Sequence, residues 1–188
     1  MTETQKAPDP AADAPAEAVD LPWADVQAEH HRMLRLAPLK TDRATGGRPL
    51  RFVEFGYAER NNHQRSLLRL SIALPGQKVR KEQNHLDVWV DHEQRRVQFR
   101  PETGLQIEPM NRGIGRFLAA QGITWAKKKW SSYSFDAIDL SNKDALVEDT
   151  RLRRDHFLRV QGFDVVYADA QHLKGSVKEG KVGDLLGD

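Results

Sequence analysis

A two-residue period runs through the middle of the chain. Val53, Phe55 and Tyr57 alternate with Glu54 and Gly56, and Leu68, Leu70, Ile72 and Leu74 alternate with Arg69, Ser71 and Ala73. Leu86, Val88 and Val90 alternate with Asp87, Trp89 and Asp91; Val97 with Phe99, and Leu105 with Ile107, continue the pattern. Successive side chains of a strand point to opposite faces, so this spacing demands strands with one face buried. Five such runs in succession, joined by short polar turns such as 91–94, predict a largely antiparallel sheet.

Outside that block the period changes. Val26, Met33 and Leu34 are loosely helical in spacing, with Asp20 as a candidate cap, so 21–36 reads as a first helix. The Gly-Gly and Pro of 41–49 read as a loop. After Ile107, a helical face carries Ile114, Phe117, Leu118, Gln121 and Trp125, with Asn111 as a plausible N-cap and Lys127 to Lys129 in the last turn, where cations favour the dipole. Residues 133–139 read as a strand, Ser141 and Asp144 as the start of a helix over 142–161 ended by Gly162, and 163–169 as another strand. The glycine-rich end is open between a final strand and a tail. The expected fold class is α/β: a single mixed, mostly antiparallel sheet of six to seven strands flanked by helices.

Hydrophobic residues, glycine not counted, make up 39% of the 188, enough for a core but below the usual share. Much of the deficit is local. Residues 1–20 are rich in Ala, Pro and acid and cannot bury enough apolar surface to offset their ordering, so they read as a disordered tail. They carry five acids and one lysine, which turns the formal +2 of the chain into +6 for the remainder. Residues 95–130 alone hold eight Lys/Arg against Glu102 and Glu108. Such a concentration suits an anionic ligand or nucleic acid. Trp125, Trp130 and Tyr133 among Lys127, Lys128 and Lys129 extend the nucleic-acid reading to base stacking, though core packing beside a solvated face explains them more simply.

Cysteine is absent, which excludes disulfides, thiolate metal sites and a cysteine nucleophile. The seven histidines show no ligand spacing, so no metal site is expected. No run approaches the about 18 apolar residues of a membrane helix, and the N-terminus lacks the pattern of a signal peptide. The expectation is a cytoplasmic protein with no membrane partner.

Gly113 and Gly115 sit where a strand-like run gives way to a helix, with Arg112 and Arg116 beside them. A helix N-terminus exposes N–H groups and the positive end of its dipole, and glycine lets a phosphate approach the backbone. The plainer alternative is a tight turn at Gly113 and close packing at Gly115. The charge alternation of 149–159 is explained by helical i,i+4 pairs, Asp149 with Arg153 and Arg151 with Asp155.

The stretch LQIEPMNRGIGRFLAAQGITWAK at 105–127, together with RRDHFLRVQGFDVVYAD at 153–169, resembles the acyl-CoA-binding core of the GCN5-related N-acetyltransferase (GNAT) superfamily. There a strand runs into a glycine loop and helix, and a second helix ends in a Gly-Phe pair, here Gly162-Phe163. The resemblance covers about 85–168 and implies a GNAT-like domain over 21–174, with 175–188 as its last strand or tail. It implies acetyl-CoA or another acyl-CoA as co-substrate. The backbone of Leu105, Gln106 and Ile107 would bind the pantetheine arm, and Arg112, Gly113, Ile114, Gly115 and Arg116 would hold the pyrophosphate. A gap between the strands at 104–108 and 133–139 would admit it. The first loop position, usually Arg or Gln, is Met110, and the position of the leaving-group tyrosine is Leu158.

Acyl transfer to an amine requires a base, for which Glu108 is the first choice, with Asp139 and Asp87 as weaker ones. Tyr133 and Tyr167 are candidates to replace the missing acid. The implied activity is N-acyl transfer by direct attack on a small-molecule or protein amine. The alternatives are a non-catalytic GNAT-like module that lost its acid, and a nucleic-acid-associated protein using 95–130. The acceptor and the oligomeric state are not encoded in any motif.

Overall fold

A computed structural model describes residues 22–37, 51–76, 83–101, 105–108 and 112–187. The expected tail at 1–20, the loop at 41–49, Met110 and Asn111 lie outside the described residues. The elements are β1 (His30–Arg35), β2 (Phe52–Asn61), β3 (Arg65–Ala73), β4 (His85–Asp91), β5 (Arg96–Arg100), α1 (Ile114–Trp130), β6 (Ser134–Phe135) and β7 (Ile138–Asp139). They continue through α2 (Asn142–Ala145), α3 (Glu148–Val160), β8 (Val165–Tyr167), β9 (Gly175–Val177), β10 (Gly180–Lys181) and a 3-10 turn at Val182–Asp184. The fold is α/β, built on a mixed, mostly antiparallel seven-stranded sheet in the order β1-β2-β3-β4-β5-β6-β10. A second sheet has the order β7-β9-β8.

The meander β2 to β5 follows the two-residue period of the sequence. Its turns are set by side chains that mimic backbone acceptors: Asn62 Oδ1 accepts from the N–H groups of Gln64 and Arg65, and Asp91 Oδ1 from those of Glu93 and Gln94. One face of the meander, with Leu70, Leu86 and Val88, receives α1. The helix buries Ile114, Leu118, Ala119, Gly122, Ile123 and Ala126. Phe117, Gln121 and Trp125, expected on the buried face, are only half-buried at its margin. The true seam is centred on Gly122, whose added Cβ would lie 2.9 Å from Val88 Cγ2 and 3.1 Å from Leu86 Cδ2.

The expected first helix over 21–36 is not formed among the described residues: 22–25 are a turn and 26–29 have no regular structure. His30–Arg35 is a strand paired with β2 along its whole length, His30 opposite Tyr57 and Arg35 opposite Phe52. Three loosely spaced apolar residues make a poor helical stripe, and the strand edge of β2 offers unpaired backbone groups that a helix cannot satisfy. Before β1, residues 22–29 cross the sheet face opposite α1. Arg69 pins them: its NH1 donates to the carbonyls of Trp23, Ala24 and Val26, and Nε and NH2 bind Asp87 at 3.0 and 2.9 Å.

The expected helix over 142–161 is two helices. Ser141 caps α2 by accepting from Lys143 N–H, and the chain turns extended at Val147 before α3 begins. Gly162 ends α3 with φ 98°, its N–H bonded to Arg159 O and that of Phe163 to Leu158 O. This double closure needs a left-handed residue, and a Cβ there would lie 3.0 Å from Asp184 O. The expected strand over 133–139 is broken into β6 and β7, which belong to different sheets. The glycine-rich end forms β9, β10 and the 3-10 turn, the strand alternative of the two left open by the sequence. Among the described residues no helix is long and apolar enough to cross a membrane.

Candidate functional site: a cleft between parting strands

β5 and β6 run parallel but share only two registered pairs, Arg96 with Ser134 and Val97 with Phe135. Beyond Phe135 the chain leaves for β7 and the second sheet, where Ile138 pairs with Val177 and Asp139 with Ser176. Beyond Arg100 the other chain continues toward 105–108. A cavity of about 680 Å³ fills the wedge between them, roofed by α1 and α3. Its volume lies within the range of small-molecule and cofactor sites, about 300–1,000 Å³.

The wall at 105–108 is held by Asn84. This residue is fully buried with φ 57°, and its side chain clamps the backbone of Glu108, donating from Nδ2 to the carbonyl and accepting at Oδ1 from the N–H, both at 2.7 Å. Its own N–H donates to Gln106 O at 2.7 Å. The backbone groups of Gln106 and Glu108 therefore point toward β4. The expected fifth strand is reduced, among the described residues, to an isolated parallel bridge of Gln106 with Gln83. The alternation of an extended chain turns the backbone groups of Leu105 and Ile107 the other way, toward the cleft. Among the described residues no hydrogen bond is made by the backbone of Leu105 or Ile107.

At one end of the cleft stands the start of α1. Gly113, not Asn111, is the N-cap, with φ 78°, no side-chain cap and no acid in the first turn. Gly113, Ile114, Gly115 and Arg116 all line the cavity. A Cβ on Gly113 would meet nothing within 4 Å, whereas one on Gly115 would lie 3.3 Å from Ile107 Cγ1, 3.8 Å from Phe157 Cε2 and 4.0 Å from Leu105 Cδ1. Gly113 thus supplies the left-handed turn, and Gly115 brings the helix close to the wall of 105–107. Arg112 does not line the cavity; its NH2 donates to Ala37 O at 2.7 Å, tying the start of α1 to the end of β1.

Of the three catalytic candidates, the cavity lining includes Glu108 and neither tyrosine. Tyr133 OH bonds His92 Nδ1 at 3.1 Å, and His92 Nε2 bonds the buried Ser66 hydroxyl at 2.8 Å. Tyr167 OH donates to the buried Asp155 and accepts from Arg154 at 3.1 Å. Asp139 lines the cavity. Asp87 lies on the opposite face of the sheet, bound by Arg69 and by His85 Nε2 at 2.8 Å. Burial opposes its ionisation, but the His85 and Arg69 bonds outweigh that and hold its carboxyl below the ordinary value.

Apart from Leu158, which the resemblance set at the leaving-group position, sequence reasoning missed the contribution of α3. Thr150, Arg153, Arg154, Phe157 and Leu158 face the cavity at helical spacing. Arg151 pairs with Asp155 at 4.0 Å as the charge pattern predicts, while Arg153 turns to the cleft. Arg154 is held beside the cleft by Asp155 (3.2 Å), Ser141 O (2.9 Å) and Tyr167. The only forewarning was that 150, 153, 154 and 157 lie on one helical face.

The basic, aromatic stretch 125–133 is packed rather than splayed. Trp125 meets Trp130 edge-on at 4.9 Å, Trp130 meets His92 at 5.3 Å, and Lys127 donates to Leu185 O at 2.6 Å. Among the described residues no group of three or more His, Cys, Asp or Glu could hold a metal. Compared with protein-family models, curated proteins and solved structures, the chain finds no match in any of the three.

Proposed function

We propose that the protein is an acyl-CoA-dependent N-acyltransferase of GNAT type, with the cleft between the parting strands as its thioester site. One observation carries the reading. Leu105 and Ile107 turn backbone donors and acceptors into a long cleft whose end is an uncapped helix N-terminus. A pantetheine arm carries amides that pair with such a strand, and a diphosphate suits the N–H groups at Gly113 to Arg116. The apolar side chains of Leu105, Ile107, Ile138, Leu140 and Phe157 cover the arm's aliphatic parts.

In the reaction an amine nitrogen attacks the thioester carbon. The C–N bond forms and the C–S bond breaks; the amine gives up a proton, and the coenzyme A thiolate gains one. Glu108 lines the cavity and is exposed but stands at the diphosphate end, about 10 Å along the chain from Leu105, so it takes the amine proton only through intervening water. The thiolate draws its proton from solvent, because the wall at Leu158 offers no donor and both tyrosines are engaged elsewhere. That same wall favours the second reading, a binding module without turnover.

The test is thermal unfolding with coenzyme A and acetyl-CoA, followed by thiol release with a panel of amines. Saturating ligand at about 100 times Kd adds about 2.7 kcal/mol of stability and raises Tm. Gly115→Glu, which puts a carboxylate against Ile107 and the helix N-terminus, abolishes the rise. No rise at millimolar ligand overturns the reading; a rise without thiol release from any amine selects the binding module.

A further inference from the structure

We infer that Arg153 reads the 3′-phosphate of coenzyme A and so separates it from the dephosphorylated form. The inference rests on the coenzyme A reading and adds a specificity-determining residue to it. Three arginines line the cleft, Arg116 on α1 and Arg153 and Arg154 on α3. The charge of Arg154 is answered within the fold. Its guanidinium binds Asp155 at 3.2 Å and stands 3.9 Å from Asp144, and it donates to Ser141 O and Tyr167 OH. Arg153 differs. Asp149, one turn earlier, is the i,i+4 partner that the sequence offers it. Yet among the described residues the side chain of Arg153 makes no ion pair or hydrogen bond, and it is exposed along the cleft.

The course of α3 places that side chain at the mouth. The C-terminal end of the helix lies at the apex of the wedge: Phe163, just past Gly162, meets Phe135 at 5.3 Å and Phe99 at 5.9 Å. Phe135 is itself registered with Val97, where β5 and β6 still pair. Phe157 stands at the level of the glycine turn, its Cε2 3.8 Å from the position of a Cβ on Gly115. Arg153 is one helical turn further out, about 6 Å along the axis. Side chains on a helix lean toward its N-terminus, so the guanidinium extends away from Phe157 and from the apex. It therefore stands beyond the seat of the diphosphate, on the side of the cleft that α3 supplies.

Coenzyme A carries its negative charge in two places. The diphosphate joins the pantetheine arm to the ribose, and the 3′-phosphate sits on the same ribose, one sugar ring further from the thiol. With the diphosphate on the N–H groups of Gly113 to Arg116 and the arm running inward past Ile107 and Leu105, the ribose lies outward of the helix start. That is the direction in which Arg153 extends. A guanidinium is a planar fork whose N–H groups meet phosphate oxygens in pairs. Arg153 combines that position with a charge that no protein group among the described residues answers.

Calorimetric titration of the full chain with coenzyme A and with dephospho-coenzyme A, at low ionic strength, tests this. The unaltered protein binds coenzyme A about fivefold more tightly, the scale of an exposed ion pair, and added salt narrows the gap. Arg153→Gln brings the two affinities together by weakening coenzyme A and leaving the dephosphorylated form unchanged, a pattern that a general loss of structure does not produce. Arg153→Lys, which keeps the charge and loses the fork, falls between. Circular dichroism checks that both variants fold. Equal affinities in the unaltered protein overturn the assignment and leave the coenzyme A reading standing. A preference that survives Arg153→Gln places the 3′-phosphate elsewhere and also overturns it. Absence of binding by either ligand removes both.

Discussion

The two halves of the main sheet are built from the same backbone chemistry and end in opposite states. Eight residue pairs join β2 to β3 and seven join β3 to β4, whereas β5 and β6 share two. In the first half every strand continues its neighbour's register, and the backbone groups are consumed in ladders. In the second half register stops after Val97 and Phe135, and the chains part around a cavity. The lesson is that a sheet makes a scaffold where pairing runs on and a binding edge where it is interrupted. The interruption is itself engineered by the chain: Asn84 holds the 105–108 wall in place without a continuing ladder partner.

The sharpest way to break the contrast is to damage the scaffold half. Arg69 and Asp87 are largely buried, and Arg69 also fixes residues 22–26 through three carbonyls. Removing one partner of a buried pair strands the other's charge, at a cost of about 3–5 kcal/mol. Arg69→Met therefore lowers the urea-unfolding free energy by about 3 kcal/mol. The pH dependence has a defined sign. Asp87 has a folded pKa below its unfolded value of about 3.9. Its contribution is complete above the unfolded pKa and disappears as pH falls through the folded one. In Arg69→Met burial is less opposed, so the acid-unfolding midpoint moves to higher pH.

A smaller effect follows at the contact between α1 and the scaffold. Gly122→Leu drives a side chain into Val88 and Leu86, both buried. Overpacking costs about 1–3 kcal/mol, and relief of a helix-interior glycine returns part of it. The net loss is about 2 kcal/mol by chemical denaturation, with the β2 to β4 ladders intact.

These two sites differ in how far the sequence disclosed them. Strands β2 to β5 were legible from their alternation, although β4 alternates only in sequence, because residues 22–29 cover its second face and Asp87 and Trp89 are buried with the rest. The antiparallel order, the turn at 91–94, the Ser141 cap and the Gly162 stop were legible for equally local reasons. β1 was not, since only the open edge of β2 decides that His30–Arg35 extends. The break at Val147 and the division of 133–139 between two sheets likewise depend on long-range pairing. Within the candidate site, the glycine turn at Gly113 could be read from spacing, whereas the lining by Leu105 to Ile107 was only what the resemblance implied. Arg153 and Arg154 could not, because a charged helix face looks the same whether it meets solvent or a cleft. Nor could the Asn84 clamp, whose only local trace is an asparagine suited to positive φ.

The paired glycines give the finest test of the comparison, because they separate backbone strain from steric contact within one turn. Gly113 has open space around its absent Cβ but φ 78°, a conformation that costs an L-residue about 1–2 kcal/mol. Gly115 needs no such φ, and its added Cβ comes nearest to Ile107 Cγ1, at 3.3 Å, with Phe157 Cε2 and Leu105 Cδ1 at ordinary contact distances. Gly113→Ala therefore loses about 1 kcal/mol of unfolding free energy. Gly115→Ala stays within about 0.5 kcal/mol, the helix-propensity gain offsetting the contact. Their order reverses in the cleft. The Gly115 methyl projects between α1 and the 105–107 wall and narrows the path past it, while the Gly113 methyl points into open space. If the proposed function holds, coenzyme A binding weakens more in the variant whose fold is less affected. Equal losses of stability in the two variants would show that the helix start is held by packing rather than by the left-handed turn.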